Sequence, residues 1–285
     1  MVSPSELSRP ALSPTDGSPL LSPPLRVTFL GTGTSTGVPS IGCSCAVCRS
    51  SEPRNKRLRP SILVTVLAGE FAGANILVDT TPDMRTQVLR AGVERLDAVL
   101  VTHTHADHIF GMDDVRQFNF RQNAPMPIYA TTPTLDHLCR VFEYCFVQTQ
   151  EGGGKPKLDL KPIEPGAAFT VCGVTVLPLT VLHGSLPVTA FRFGERFAYV
   201  TDVSHIPPET APHLAGLDTL ILGTVRYAPH PTHFGLQQAV EAAQTAAARQ
   251  TYFTHLSHHF DHATLTAELP ESIAPAYDGL TFLVP

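Results

Sequence analysis

The chain has 285 residues, of which 43% are apolar, and a formal net charge of −5. That is enough apolar material for a sizeable core, and the acidic balance gives no global pull toward nucleic acid or anionic lipid, so a polyanion would need a local basic patch. No stretch approaches the ~20 apolar residues that cross a bilayer.

Residues 1–24 are rich in Pro and Ser and are broken by Glu6, Arg9 and Asp16. They lack the basic start and apolar stretch of a secretory signal and read as a disordered leader to a single cytoplasmic domain over 25–285. Arg26–Leu30, Ser61–Leu67, Asn75–Val78 and Asp97–Val101 have the β-branched runs of strands. Pro82–Ala91 opens on a proline at helical spacing, and further helices are expected over Ala106–Asn119 and Pro133–Phe146. A flexible connection at Gly152–Gly154, with Lys155 to Lys157 beside it, separates these elements from a second set. Strands are expected there at Phe169–Leu179, Val188–Phe193, Phe197–Thr201, Thr219–Leu222 and Thr251–Phe253, with an Ala-rich helix over Leu236–Arg249. Two runs of strands followed by helices predict an α/β fold with two packed sheets and helices outside. The Gly31–Gly37 loop follows a strand, but cysteines rather than a helix follow it, so it reads as a tight turn and not as a nucleotide loop.

The string Thr102-His-Thr-His-Ala-Asp-His108 stands directly after the apolar run 96–101. Imidazoles and carboxylates are costly to desolvate without partners, so His103, His105, Asp107 and His108 at a strand end need a shared one, and a divalent cation supplies it. Four donors would crowd one ion, so two metals fit better. More donors follow other apolar runs: Asp79 after 76–78, His183 after 176–182, Asp202 after 197–201 and His255 after 251–254. A folded sheet would bring them to one edge.

With these residues in that order, the chain resembles the metallo-β-lactamase superfamily from about Arg26 onward, and the resemblance implies a four-layer αββα sandwich. Carried over motif by motif, it implies a first metal on His103, His105 and His183 and a second on Asp107, His108 and His255. Asp202 would bridge the two, and Asp79 would orient the ligands from behind. Gly42-Cys-Ser-Cys-Ala-Val-Cys48, taken with Thr254-His-Leu-Ser-His-His-Phe260, resembles more narrowly the phosphodiesterases that act on phosphoribosyl cyclic phosphate in phosphonate breakdown. That likeness implies a structural zinc on Cys43, Cys45, Cys48 and His258, and three thiolates with one imidazole do form a closed tetrahedral site. Cys139, Cys145 and Cys172 lie in apolar surroundings and have no expected role. His259 and His262 read as surface residues.

Two divalent ions, zinc or manganese, about 3.5–4 Å apart would share a bridging hydroxide and clamp a phosphoryl centre. The expected catalytic residues are Asp107, Asp79 and His233, the last aligning with the family's general acid better than His230. Arg49, Arg54, Lys56, Arg57 and Arg59 read as a solvated basic face that would draw phosphorylated substrates if the loop leaned over the site. Asp113, Asp114 and Arg116 form a surface without an assigned role, and the stretch through Phe120 departs from the phosphonate-pathway enzymes.

The sequence therefore predicts a metal-dependent phosphodiesterase for a small phosphorylated substrate, with no membrane partner and, by family likeness, a homodimer. Two alternatives share its motifs. A tRNA 3′-end endonuclease would need a long basic arm and a broad basic footprint, which argues against nucleic acid. A non-catalytic carrier from quinone cofactor biogenesis shares the cysteine loop but tends to lack a full ligand set, whereas every ligand position is filled here.

Overall fold

A computed structural model describes residues 23–148 and 154–285. Most of the expected leader and part of the glycine connection lie outside them. The first sheet is built from β1 (Leu25–Gly31), β2 (Ser61–Val66), β3 (Asn75–Val78), β4 (Ala98–Leu100), β5 (Met126–Ala130) and β6 (Leu158–Pro162). The second holds β7 (Phe169–Val171), β8 (Val174–His183), β9 (Leu186–Phe193), β10 (Phe197–Val200), β11 (Thr219–Gly223), β12 (Gln250–Thr254) and β13 (Ile273–Pro275), after which β14 (Thr281–Val284) returns to pair with β1. Both sheets are mixed: β3 to β6 run parallel on one, and β10 to β13 on the other.

Helices α1 (Ala46–Arg49), α2 (Met84–Arg90), α3 (Ala106–Ile109), α4 (Arg116–Gln122) and α5 (Thr132–Val141) follow strands of the first sheet, and α6 (Ala211–Leu214), α7 (Leu236–Ala246) and α8 (His262–Glu268) strands of the second. Alternating residues decide the layers. Val27, Phe29, Ile62 and Val64 of the first sheet meet Phe191, Phe193, Phe197 and Tyr199 of the second in the central core. The opposite face of the first sheet packs Leu77 and Val99 on Met84, Val88 and Leu138, while α7 sets Ala239 and Ala243 against the outer face of the second. The result is the αββα sandwich.

Several elements differ from expectation. The helix expected over Ala106–Asn119 is broken into α3, a 3₁₀ turn at Met112–Val115 and α4. Gly111 causes the break: its N–H donates to the Thr80 carbonyl at 2.8 Å, and it packs so closely on Thr81 that a Cβ would strike the carbonyl there. The strand expected over Phe169–Leu179 is a hairpin, β7 and β8, turning at Cys172 and Gly173. α5 and α7 stop short of their expected ends, at Val141 and Ala246. β5, β6, β13 and β14 had no sequence signal strong enough to mark them, and three of them contain proline, which breaks the strand pattern. In the Gly31–Gly37 turn, a Cβ on Gly31 would meet the Arg59 carbonyl, so glycine there allows a close backbone approach.

Candidate metal centre

The C-terminal ends of five strands converge at one edge. Asp79 follows β3, the His103–His108 motif follows β4, His183 closes β8, Asp202 lies just past β10, and His255 follows β12. Asp79, Asp202 and His255 all adopt positive φ, at 64°, 46° and 61°. Non-glycine residues are rare there, and such strain is kept where the surrounding structure needs a side chain aimed in one direction.

The donor atoms form two groups that share one residue. Asp107, His108, Asp202 and His255 make the first and His103, His105 and Asp202 the second, with the donors of each group within 4.8 Å of one another. Asp202 Oδ2 lies 3.2 Å from both His103 Nε2 and His108 Nε2, and its Oδ1 lies 2.9 Å from His255 Nε2. His183 stands beside the second group, its ring centroid 5.1 Å from that of His105.

Hydrogen bonds behind the cluster set which ring nitrogen faces inward. Asp79, fully buried, accepts from the Thr102 backbone N–H through Oδ1 at 2.8 Å, and through Oδ2 from the Thr102 hydroxyl at 2.8 Å and His108 Nδ1 at 2.7 Å. With its proton given to Asp79, the Thr102 oxygen accepts from His103 Nδ1 at 3.0 Å. The Thr232 carbonyl can only accept, so His183 Nδ1 donates to it at 2.5 Å. The Nε2 lone pairs of His103, His108 and His183 are thereby left for a metal.

The residues pass a test of fit. His103 Nε2, His108 Nε2 and both ring nitrogens of His255 are buried without a hydrogen-bond partner, a cost that a cation would remove. Burial opposes ionisation of Asp202 and Asp107, but neighbouring imidazoles outweigh it, His255 and His108 for Asp202 and His108 above all for Asp107, and hold both carboxyls well below the usual range. Burial likewise favours a neutral His255, yet the Asp202 and Asp107 carboxylates push it up to about 9. An anionic pocket lined with imidazoles is one a divalent cation stabilises.

His233 stacks over His255, centroids 4.8 Å apart, and against His183 at 4.3 Å. Burial, reinforced by the charge on His255, lowers its pKa to about 3. His230 shares a hydrogen bond with the Thr232 hydroxyl at 3.2 Å and sits further out, its ring 5.2 Å from that of His233.

A second cluster lies on the cysteine loop. His258 Nδ1 is 3.2, 3.5 and 3.6 Å from the Sγ atoms of Cys43, Cys45 and Cys48, and all four donors are mutually close. The Cys48 backbone N–H, donating to Cys45 Sγ at the start of α1, is the main cause of a Cys45 pKa near 6. Three thiols and an imidazole around one point suit a closed zinc site.

Arg49, Arg54 and Lys56 of the expected basic face are exposed, but Arg57 is not part of such a face. Arg57 is buried, its guanidinium donating to the Ser257 and Phe260 carbonyls at 3.0 and 2.8 Å and to Asn55 Oδ1. Arg54 pairs with Glu52 and Arg59 with Asp83. His262 is also not a surface residue: it is buried at the start of α8, its backbone N–H held by Asn55 Oδ1 at 2.8 Å and its ring edge-on to Tyr277. Asn55 also donates to Asp261 at 2.7 Å. This network, invisible in the sequence, binds the cysteine loop to the segment after β12. Thr102 and Thr232 were missed too, though Thr102 adjoins the motif; the carbonyl role of Thr232 leaves no sequence signal.

Residues 74–256 match the family model described as the β-lactamase superfamily domain. The chain belongs to the metallo-β-lactamase superfamily. Within that superfamily it is 41% identical to a crystal structure described as a new diphosphatase from the PhnP family, with a TM-score of 0.83 over 92% of this chain and 97% of that one, which places it in the PhnP family. A Porphyromonas gingivalis protein named octanoyltransferase is 37% identical over 91% of this chain and 52% of its own length, so the chain spans about half of that protein. Zinc-bound PqqB from Methylobacterium extorquens shares the fold, at 21% identity and a TM-score of 0.69 over 90% of this chain and 99% of that one. The family match and this donor cluster support a metal-dependent hydrolase domain that uses divalent cations. Among the described residues, no helix is long and apolar enough to cross a membrane.

Proposed function

We propose that this protein hydrolyses a small cyclic or diester phosphate at a centre of two divalent cations, zinc or manganese. His103, His105 and His183 would hold one ion, Asp107, His108 and His255 the other, and Asp202 both. The observation that carries the reading is the position of Asp202, whose two carboxylate oxygens face imidazoles of both donor groups. A buried carboxylate with one oxygen toward each donor group can bridge two cations. The described diphosphatase of the PhnP family supports phosphate chemistry in particular.

When bound, the ion pair would lower the pKa of a water molecule and neutralise the phosphoryl oxygens. The chain's residues do the rest. Asp79 and Thr102 orient His108 and His103, and the Thr232 carbonyl orients His183. The water oxygen would form the new P–O bond, its proton passing to the product phosphate or to solvent, while the ester P–O bond opposite it breaks and the departing oxygen leaves as an alcohol with a proton from His233. His233 is neutral in the free site because burial and the charge of His255 disfavour its cation; an arriving anionic phosphate supplies the opposite charge that favours protonation. Cys43, Cys45, Cys48 and His258 would hold a separate structural zinc that closes the loop.

Asp202→Ala tests the reading. Turnover of bis(p-nitrophenyl) phosphate by the metal-loaded protein should fall more than about 100-fold, beyond the loss typical of an outer-shell residue. Full activity in this variant would remove the bridging assignment and the dinuclear mechanism with it.

A further inference from the structure

Arg57, 1% exposed, is a buried cation that the proposed hydrolysis does not use. Its guanidinium donates only to neutral groups, the Ser257 and Phe260 carbonyls and Asn55 Oδ1, and its Nε has no partner. Among the described residues no carboxylate pairs with it, whereas Arg54 and Arg59 on either side each have one. Burial lowers its pKa to about 10, opposed by Asp278, Asp261 and the Cys48 sulfur. Both carboxylates are engaged elsewhere. Asp278 accepts from the Leu58 N–H and pairs with Arg90, and Asp261 accepts from Asn55 and from the Thr264 N–H at the start of α8. A buried guanidinium without an ion-pair partner is costly, so its position calls for a negative charge close by.

The cysteine cluster can supply that charge. Arg57 touches both segments that carry the cluster's donors. Its backbone N–H and carbonyl pair with Val38, at the start of the cysteine loop, both at 2.8 Å, and its side chain holds the carbonyl of Ser257, the residue before His258. The Ser40 N–H, two residues on from Val38, donates to Cys48 Sγ at 3.4 Å. Three thiolates and a neutral imidazole on a zinc ion leave one surplus negative charge. Lys56, which donates to the Cys48 carbonyl, and Arg49 also lie beside the cluster, but both are exposed, where water and salt screen a charge. Arg57 acts through the protein interior, which screens far less.

We infer that Arg57 is the countercharge of the cysteine–zinc site, a positioning residue whose one positive charge neutralises the one that three thiolates leave over; the inference rests on the structural-zinc reading. Cobalt(II) tests it without turnover, because thiolate-to-cobalt absorption reports the cysteine cluster and not the His/Asp centre. In Arg57→Met, cobalt binding at the thiolate site, measured by competition with a chelator, should weaken about 10- to 100-fold, the loss typical of a ligand's supporting partner. Arg57→Lys keeps the charge but not the forked hydrogen bonds and should stay within about threefold of wild type. Cys43→His exchanges a thiolate for an imidazole and makes the metal site neutral, so on that background Arg57→Met should weaken binding less than about threefold. A role confined to holding the Ser257 and Phe260 carbonyls predicts equal losses in the Lys and Met variants and on both backgrounds, and either result overturns the assignment. Should the Met variant not fold, a loss of about tenfold in Arg57→Lys is enough to overturn it. A wild-type protein without the thiolate–cobalt band sinks the zinc site itself, and the charge role with it.

Discussion

Asp79→Asn isolates the orienting role of one buried carboxylate. In the native site its two oxygens serve two N–H groups on different sides, Thr102 N–H at Oδ1 and His108 Nδ1 at Oδ2, at 2.8 and 2.7 Å. Asparagine has nearly the same shape but only one acceptor oxygen. In either rotamer its NH₂ group faces one of those donors. If it faces Thr102, a fully buried backbone N–H loses its partner, which costs about 1–3 kcal/mol. If it faces His108, that ring must move its proton to Nε2, the nitrogen that points into the Asp107–Asp202 group. A protonated Nε2 cannot ligate. Either cost bears on the metal-bound state, and 1–3 kcal/mol corresponds to about 5- to 150-fold in affinity, which brackets the 10- to 100-fold typical of lost outer-shell partners. The assay is competition for zinc with a chromophoric chelator, read alongside thermal unfolding of the metal-free protein. We expect one catalytic equivalent to be released about 10- to 100-fold more readily while the others hold. Zinc affinity within about twofold of wild type would refute the reasoning, because the native hydrogen bonds would then contribute almost nothing to ligand geometry.

Two further outcomes test the remaining assignments. His233→Ala should lower kcat about 10²- to 10⁴-fold on diesters with alkyl leaving groups and far less on p-nitrophenyl esters, whose leaving group needs no proton; equal losses on both, measured by stopped assay, would remove the acid role. Cys45→Ser should lose one equivalent of metal, counted by elemental analysis, and leave the catalytic pair in place. The loop should stay docked in that variant, since Arg57 and Asn55 bind it to the segment after β12 independently of the thiols. Loss of every metal at once would contradict the separation of the two sites.

The donor set was legible in the sequence because each donor follows an apolar run, and a run of β-branched residues ends where its strand ends. Chemistry that concentrates at strand ends can therefore be read one segment at a time. The cysteine loop was legible for a similar reason, since three thiols within six positions carry their own geometry. Strands such as β5 and β6 were not, because Pro127 and Pro162 interrupt their pattern and the neighbouring strands alone make them regular. The break at Gly111 was hidden as well, because its cause lies about thirty residues earlier, in the carbonyls of Thr80 and Thr81.

Local composition and spacing determined the layered α/β architecture, the types of candidate donor residue and the order in which they come. Only the tertiary structure decided how they act together: that Asp202 faces both donor groups, that Thr102 and Thr232 select the ring nitrogens, and that Arg57 and His262 lie inside rather than at the surface. Hydrophobic periodicity is a property of neighbours along the chain, whereas hydrogen-bond partners and burial of a lone charge depend on residues brought close from far away. The orientation of a ligand belongs to the second kind, so it exists only once the two sheets have packed.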